Sequence, residues 1–180
     1  MLKLRKPTSL EPLIVSMTGL RIGDRVLILG AGEPKGLALL AQKPGLSGRV
    51  CVVDDDPART GRAAETAARE GALVEAETAP VTMLPFDAGS FDVVVVNHLL
   101  PSLAGDRQIA ALNEASRVLR GGGRCIVIQR APRSGLGALF GRGGQMPPTQ
   151  VEAALTAASF RGVRTLADRD GLLFVEGARK

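Results

Sequence analysis

The chain has 180 residues, 45% of them hydrophobic and 23% charged, which suits one globular domain spanning 1–180 and excludes a disordered chain. No apolar run nears the roughly 20 residues that cross a bilayer, and the basic start meets Pro7 and Glu11 before any long apolar stretch. Neither a membrane span nor a secretory signal is therefore predicted, and the expected compartment is the cytoplasm. The net charge of +5 is dispersed, and with five Phe and no Trp or Tyr the chain lacks platforms for stacking bases, so nucleic acid is a weakly supported partner.

In chain order, the N-terminal region 1–19 carries Leu10, Leu13, Ile14 and Met17 at helical spacing before Gly19, which predicts a helix across the edge of the fold. Val26 to Leu29 reads as a buried strand that runs into Gly30-Ala31-Gly32 and then into the apolar helix Leu37–Ala41, the arrangement of a nucleotide cradle. Gly30 can adopt a backbone angle other residues resist, and Gly32 lacks the β-carbon that would hold a ligand off the main chain. The same two glycines would also serve a plain strand-to-helix turn. A second strand, Arg49–Val53, ends in Asp54-Asp55-Asp56-Pro57, where a carboxylate can accept both hydroxyls of a ribose. Its place at a strand end predicts that removing Asp54 costs cofactor binding and little stability. Asp56 and Pro57 read as cap and first turn of an alanine-rich helix closed by Gly71.

Ala72 to Ala76 is predicted as a short strand, followed by a loop from Thr78 to Phe86 with one helical turn. The valine run Phe91–Asn97 fits a central parallel strand, expected beside the first. Ile109, Leu112, Ala115, Val118 and Leu119 form a helical face that Gly121-Gly122-Gly123 is expected to stop, before the strand Arg124–Gln129. Ala131 to Pro148 has little periodicity and reads as a long mobile loop closing over a site, with Leu136, Leu139 and Phe140 among its glycines. A helix over Gln150–Ser159 precedes two strands joined at Arg169-Asp170-Gly171, a hairpin signal. The alternation predicts an α/β, doubly wound, mostly parallel sheet with an antiparallel edge strand. Cys51 and Cys125 fall inside strand patterns as small buried hydrophobes, with no metal-ligand spacing.

These segments together resemble the class I S-adenosylmethionine-dependent methyltransferases, in the branch acting on small molecules such as quinone precursors. The resemblance is carried by Gly19–Leu27, by Gly30-Ala31-Gly32, by Asp54–Pro57, by Leu84-Pro85-Phe86 followed by Gly89-Ser90-Phe91-Asp92, and by Asn113–Arg124. It implies the seven-stranded Rossmann-like fold of that superfamily, S-adenosylmethionine as cofactor and a small-molecule methyl acceptor. It also implies that Gly30, Ala31 and Gly32 face the cofactor, that Asp54 with Asp55 beside it holds the ribose, and that Pro80 and Val81 lie at the adenine. Three departures stand out. Ile28 replaces an acidic residue, Pro34 replaces a glycine, and Pro80 replaces the carboxylate that accepts the adenine amino group. Two lost acceptors, at roughly 1.5–3 kcal/mol each, predict cofactor binding weaker by two or more orders of magnitude, unless Glu33 compensates at the charged amino end.

Methyl transfer from a sulfonium asks mainly for positioning. The single histidine, His98, follows Asn97 at the carboxyl end of the central strand and is the candidate acid-base residue, while Asn97 is read as a cofactor contact. A nicotinamide-dependent oxidoreductase would use Gly30, Gly32 and Asp54 equally well. It is opposed by Lys35 at the third fingerprint position and by the absence of tyrosine. A non-catalytic relative that keeps the fold as a binding or scaffold module is the remaining alternative, favoured by Ile28 and Pro80.

Overall fold

Val, Ile and Leu in short runs bounded by glycines favour strands covered on both faces, and the computed structural model, which describes residues 11–131 and 145–180, builds its sheet from them. The strands are β1 (Arg25–Leu29), β2 (Arg49–Asp54), β3 (Glu75–Thr78), β4 (Phe91–Asn97), β5 (Leu119–Arg130), β6 (Arg161–Arg169) and β7 (Leu172–Ala178). Between them run helices α1 (Glu11–Thr18), α2 (Pro34–Gln42), α3 (Pro57–Arg69), α4 (Gly105–Val118) and α5 (Pro148–Ala157), with a 3-10 turn at Leu100–Ser102. The seven strands lie in the order β3-β2-β1-β4-β5-β7-β6. From β3 through β5 all pairings are parallel, Ile28 standing between Val52 and Val95. The order reverses at β1, so the crevice above β1 and β4 is the switch point where such sheets take ligands.

Side chains alternate between two apolar layers. Val26, Ile28, Val52, Val93, Val95 and Ile128 pack under α1, α2 and α3. Leu27, Leu29, Val53, Val94, Val96 and Val127 face the other way, against α4 and α5. Both cysteines are free and buried, and burial pushes the Cys51 thiol up to about 11.

The antiparallel element enters as a hairpin. Asp170 (φ 55°) and Gly171 (φ 77°) make its two-residue turn, both at positive φ as a type I′ turn requires. Strand β7 pairs antiparallel with both β5 and β6, and β6 forms the edge outside it.

Three local expectations are corrected. The Gly121–Gly123 run does not stop a helix, because α4 ends at Val118 and Leu119 already pairs with Phe91. The register shifts between Phe91 and Val93, and a β-carbon on Gly123 would lie 2.9 Å from the Arg120 carbonyl oxygen and 3.0 Å from that of Asp92. The glycines thus form the bulged entry to β5. Strand β3 begins at Glu75 rather than Ala72, and the loop after it turns at Pro80, whose carbonyl accepts the Met83 N–H at 2.9 Å, without a helical turn. Of the loop predicted as a lid, residues 132–144 lie outside the described residues.

Candidate functional site

The carboxyl ends of β1, β2 and β4 meet at one corner. Gly30 leaves β1 at φ 97° and donates its N–H to the Val53 carbonyl at 2.9 Å. A β-carbon on it would lie 2.5 Å from the Asn97 carbonyl oxygen, so glycine is required here by close approach to β4 as well as by φ. Asn97 is buried and donates its side-chain amide to the Gly30 carbonyl at 3.3 Å, pinning the turn from the β4 side. Gly32 differs: none of the described residues lies within 4 Å of where its β-carbon would stand, so the backbone is open on their side. Glu33 caps α2, its carboxylate accepting the Gly36 N–H at 2.7 Å, and Pro34 follows at the first helical position.

Asp54 closes the corner. One of its oxygens, Oδ2, accepts the Ala31 N–H at 2.8 Å, and Oδ1 accepts the Asp56 N–H at 3.0 Å. Arg59, on the first turn of α3, places Nε 3.0 Å from Oδ1 and 3.1 Å from Oδ2, with a terminal nitrogen 2.6 Å from Oδ1. The Asp54 side chain is only 2% exposed. Burial alone would raise its pKa, but Arg59 and the two backbone donors outweigh it and hold the carboxyl below its ordinary value. The sequence places this carboxylate at an open strand end, with little consequence for stability. The structure corrects that expectation: the group is buried and fully partnered, so its loss leaves two N–H groups without their acceptor and takes from Arg59 its buried partner. Asp55 by contrast is exposed, and pairs with Arg59 at 3.0 Å and with Arg107 of α4 at 3.6 Å.

His98 sits just beyond β4 with φ 54°, an unusual backbone for a non-glycine, and donates its N–H to the Ile128 carbonyl at 2.8 Å. Burial lowers its pKa, with Arg130 adding to the shift and Glu33 opposing it, so the imidazole is neutral at pH 7. The loop from Ala79 to Ser90 flanks the corner. Its first N–H, that of Ala79, bonds to the Asp54 carbonyl at 3.1 Å. Val81 is fully buried in the α4 layer and anchors the loop there. Pro80 is exposed.

Further along, the loop is clamped to α4. Glu114 accepts the Leu84 N–H at 2.7 Å, while Arg117 donates to the Phe86 and Leu84 carbonyls at 2.8 and 3.1 Å and pairs with Glu114. Phe86 meets Phe91 edge to face at 5.0 Å.

A family model described as a methyltransferase domain matches residues 27–127, from β1 through most of β5. The chain belongs to the methyltransferase domain family. An uncharacterized protein of Mycobacterium bovis is 32% identical over 131 residues, which is 73% of this chain and 46% of that one. The ubiquinone/menaquinone biosynthesis C-methyltransferase UbiE of a Geobacter species is 30% identical over 117 residues, or 64% of this chain and 49% of the enzyme. A crystal structure of a SAM dependent methyltransferase from Aquifex aeolicus superposes with a TM-score of 0.81 at 21% identity, covering 99% of this chain and 96% of that one. At that identity the likeness speaks for the fold alone. The chain spans about half the length of the curated relatives it matches.

Set against the methyltransferase pattern, the structure brings Gly30, Ala31, Asp54 and Asn97 into one hydrogen-bonded corner, with Gly32 and Glu33 on the turn beside it. Ile28, which stands where the resemblance implies an acidic residue, is wholly buried beneath the α1 and α2 layer. Arg59 escapes the sequence reading altogether. Its signal is modest: Asp55 and Arg59 stand four apart across the start of a helix, a spacing that pairs side chains on one face. The Glu114–Arg117 clamp was visible only as part of the family-like segment Asn113–Arg124. Among the described residues no helix is long and apolar enough to cross a membrane.

Proposed function

We propose that this chain is a single methyltransferase-like domain that binds S-adenosylmethionine above β1, β2 and β4 and transfers its methyl group, in the cytoplasm, to a small-molecule acceptor. The observation that carries this reading is the Asp54 carboxylate, held by two backbone N–H groups at the switch point beside the open backbone of Gly32. A carboxylate held in this way suits a vicinal diol, and an uncovered main chain suits a ligand that lies against it. The residues therefore fit the cofactor, once the guanidinium on Asp54 is accounted for.

When bound, the cofactor supplies an electrophilic methyl group on a sulfonium, so the chain's own task is alignment and exclusion of water. Asp54, with Asp55 beside it, takes the ribose. Gly30 and Ala31 hold the turn and Gly32 offers its exposed backbone to the amino-acid end, where the Glu33 carboxylate can face the ammonium. The exposed Pro80 flanks the adenine on a turn that the buried Val81 anchors, and Asn97 keeps Gly30 in place. His98, neutral at pH 7, is suited to accept a proton from the acceptor as it is methylated. An aromatic, quinone-type acceptor is supported by the similarity to the Geobacter C-methyltransferase.

A non-catalytic binding role is favoured by one observation, the pairing of every Asp54 acceptor site within the protein. Titrating the purified chain with S-adenosylmethionine, S-adenosylhomocysteine, NAD and NADP separates the readings. Binding of the two adenosyl ligands in preference to the nicotinamide nucleotides is the expected result. Binding of a nicotinamide nucleotide alone would indicate an oxidoreductase, and binding of none a scaffold.

A further inference from the structure

The Asp54 carboxylate has about four lone-pair directions, and the structure aims five donor contacts at them. Two contacts come from backbone N–H groups that cannot leave without unmaking the turn. The other three come from Arg59, whose side chain is 37% exposed against 2% for Asp54, so the guanidinium is the solvent-side cover of the carboxylate. A ribose needs two acceptor positions on Asp54. They become free only if Arg59 moves.

Arg59 has somewhere to go. Its terminal nitrogens already lie 3.0 Å from Asp55 Oδ1 and 3.3 Å from Asp56 Oδ2, and both of those carboxylates are more than a third exposed. Turning outward would give up the one buried partner and keep the two solvated ones, so the guanidinium would not be left unpaired. Arg107, 3.6 Å from the other oxygen of Asp55, holds that acceptor from the α4 side.

Resting on the cofactor reading above, we infer that Arg59 is an affinity-determining residue that competes with the ribose for Asp54: it covers the carboxylate in the free protein and swings to Asp55 and Asp56 when a cis-diol ligand binds. Cofactor binding then includes the breaking of an internal ion pair. That competition would add to the weakening of affinity expected from Ile28 and Pro80.

The test compares the full-length protein with Arg59→Met and Arg59→Lys by calorimetry with S-adenosylhomocysteine, alongside thermal melts of the ligand-free and saturated forms. Arg59→Met is expected to lower the melting temperature of the free protein, because Asp54 loses its countercharge, yet to bind the ligand about tenfold more tightly. Arg59→Lys, which keeps the charge but not the two-pronged contact, should fall between, and it carries the test if the methionine variant does not fold. An analogue lacking the ribose 2′-hydroxyl should gain less from either change. Equal or weaker binding by the variants, with the wild type binding, would overturn this inference alone. Failure of wild type and variants alike to bind would overturn the cofactor reading and this inference with it.

Discussion

Asp54 and Asp92 are built alike at opposite ends of the sheet. Each accepts a backbone N–H and side-chain donors from arginine. Asp92 takes the Arg25 N–H at 2.8 Å, Arg25 Nε at 3.2 Å and Arg120 Nε at 2.6 Å. Burial works to raise the pKa of both, and in both the donors prevail, bringing Asp92 to about 2. Their surroundings differ. Asp92 ties together the starts of β1, β4 and β5, and the neighbouring Gly123 has its space filled by backbone. Asp54 stands at the carboxyl ends of the strands, its arginine comes from the very next helix, and the neighbouring Gly32 faces open space. An arginine-paired carboxylate with a depressed pKa therefore does not mark a site by itself. What sets Asp54 apart is its location at the switch point beside uncovered backbone.

Substitutions sharpen that contrast. The largest effect is expected from Gly30→Ala, which forces an L-residue to φ 97° and a methyl group to 2.5 Å from a backbone oxygen, a cost of about 3 kcal/mol or more that a denaturant melt would read. Asp92→Ala should cost about 1–2 kcal/mol, held down because its arginines are about half exposed, and should leave cofactor binding untouched. Acid provides a second reading of that carboxylate. Since the folded pKa of Asp92 is depressed, its stabilising contribution is complete above the ordinary value of 3.8 and is lost as the pH falls toward about 2. Thermal melts across that window should therefore fall less steeply for Asp92→Asn than for the wild type. Asp56→Ala should cost about 1 kcal/mol, as a cap that accepts the Ala58 N–H at 2.8 Å is lost. Gly32→Ala should change stability by less than about 0.5 kcal/mol and yet weaken the cofactor, an asymmetry with Gly30 that calorimetry and a melt together would reveal. A loss of stability equal to that of Gly30→Ala would mean that the turn, and no ligand, explains both glycines.

Legibility in the sequence followed locality. Strands β1, β2 and β4 are apolar runs bounded by turn residues, the Asp56 cap and Pro57 announce α3, and Asp170-Gly171 announces its hairpin, because each signal is complete within a few neighbouring residues. The start of β5 was misread because Gly123 answers to the Asp92 carbonyl some thirty positions earlier, a tertiary demand that mimics a helix stop. The bounds of β6 are not legible in the sequence because an edge strand exposed on much of both faces carries no alternation to count. At the candidate site the backbone members were readable and the electrostatics were not. The acidic triplet announces a carboxylate at a strand end, but the four-residue spacing of Asp55 and Arg59 points to an exposed pair and does not reveal that the guanidinium also covers Asp54. Val81 shows the converse, since a position implied to face the cofactor proves to carry a core side chain.

The most direct test of the account is calorimetry with S-adenosylhomocysteine on the wild type, Asp54→Asn and Asp92→Asn, with melts to establish that each variant is folded. If the site lies where the structure indicates, Asp54→Asn weakens binding about tenfold or more while Asp92→Asn stays within about twofold of the wild type. Wild-type affinity in folded Asp54→Asn, or an equal loss in both variants, would contradict it.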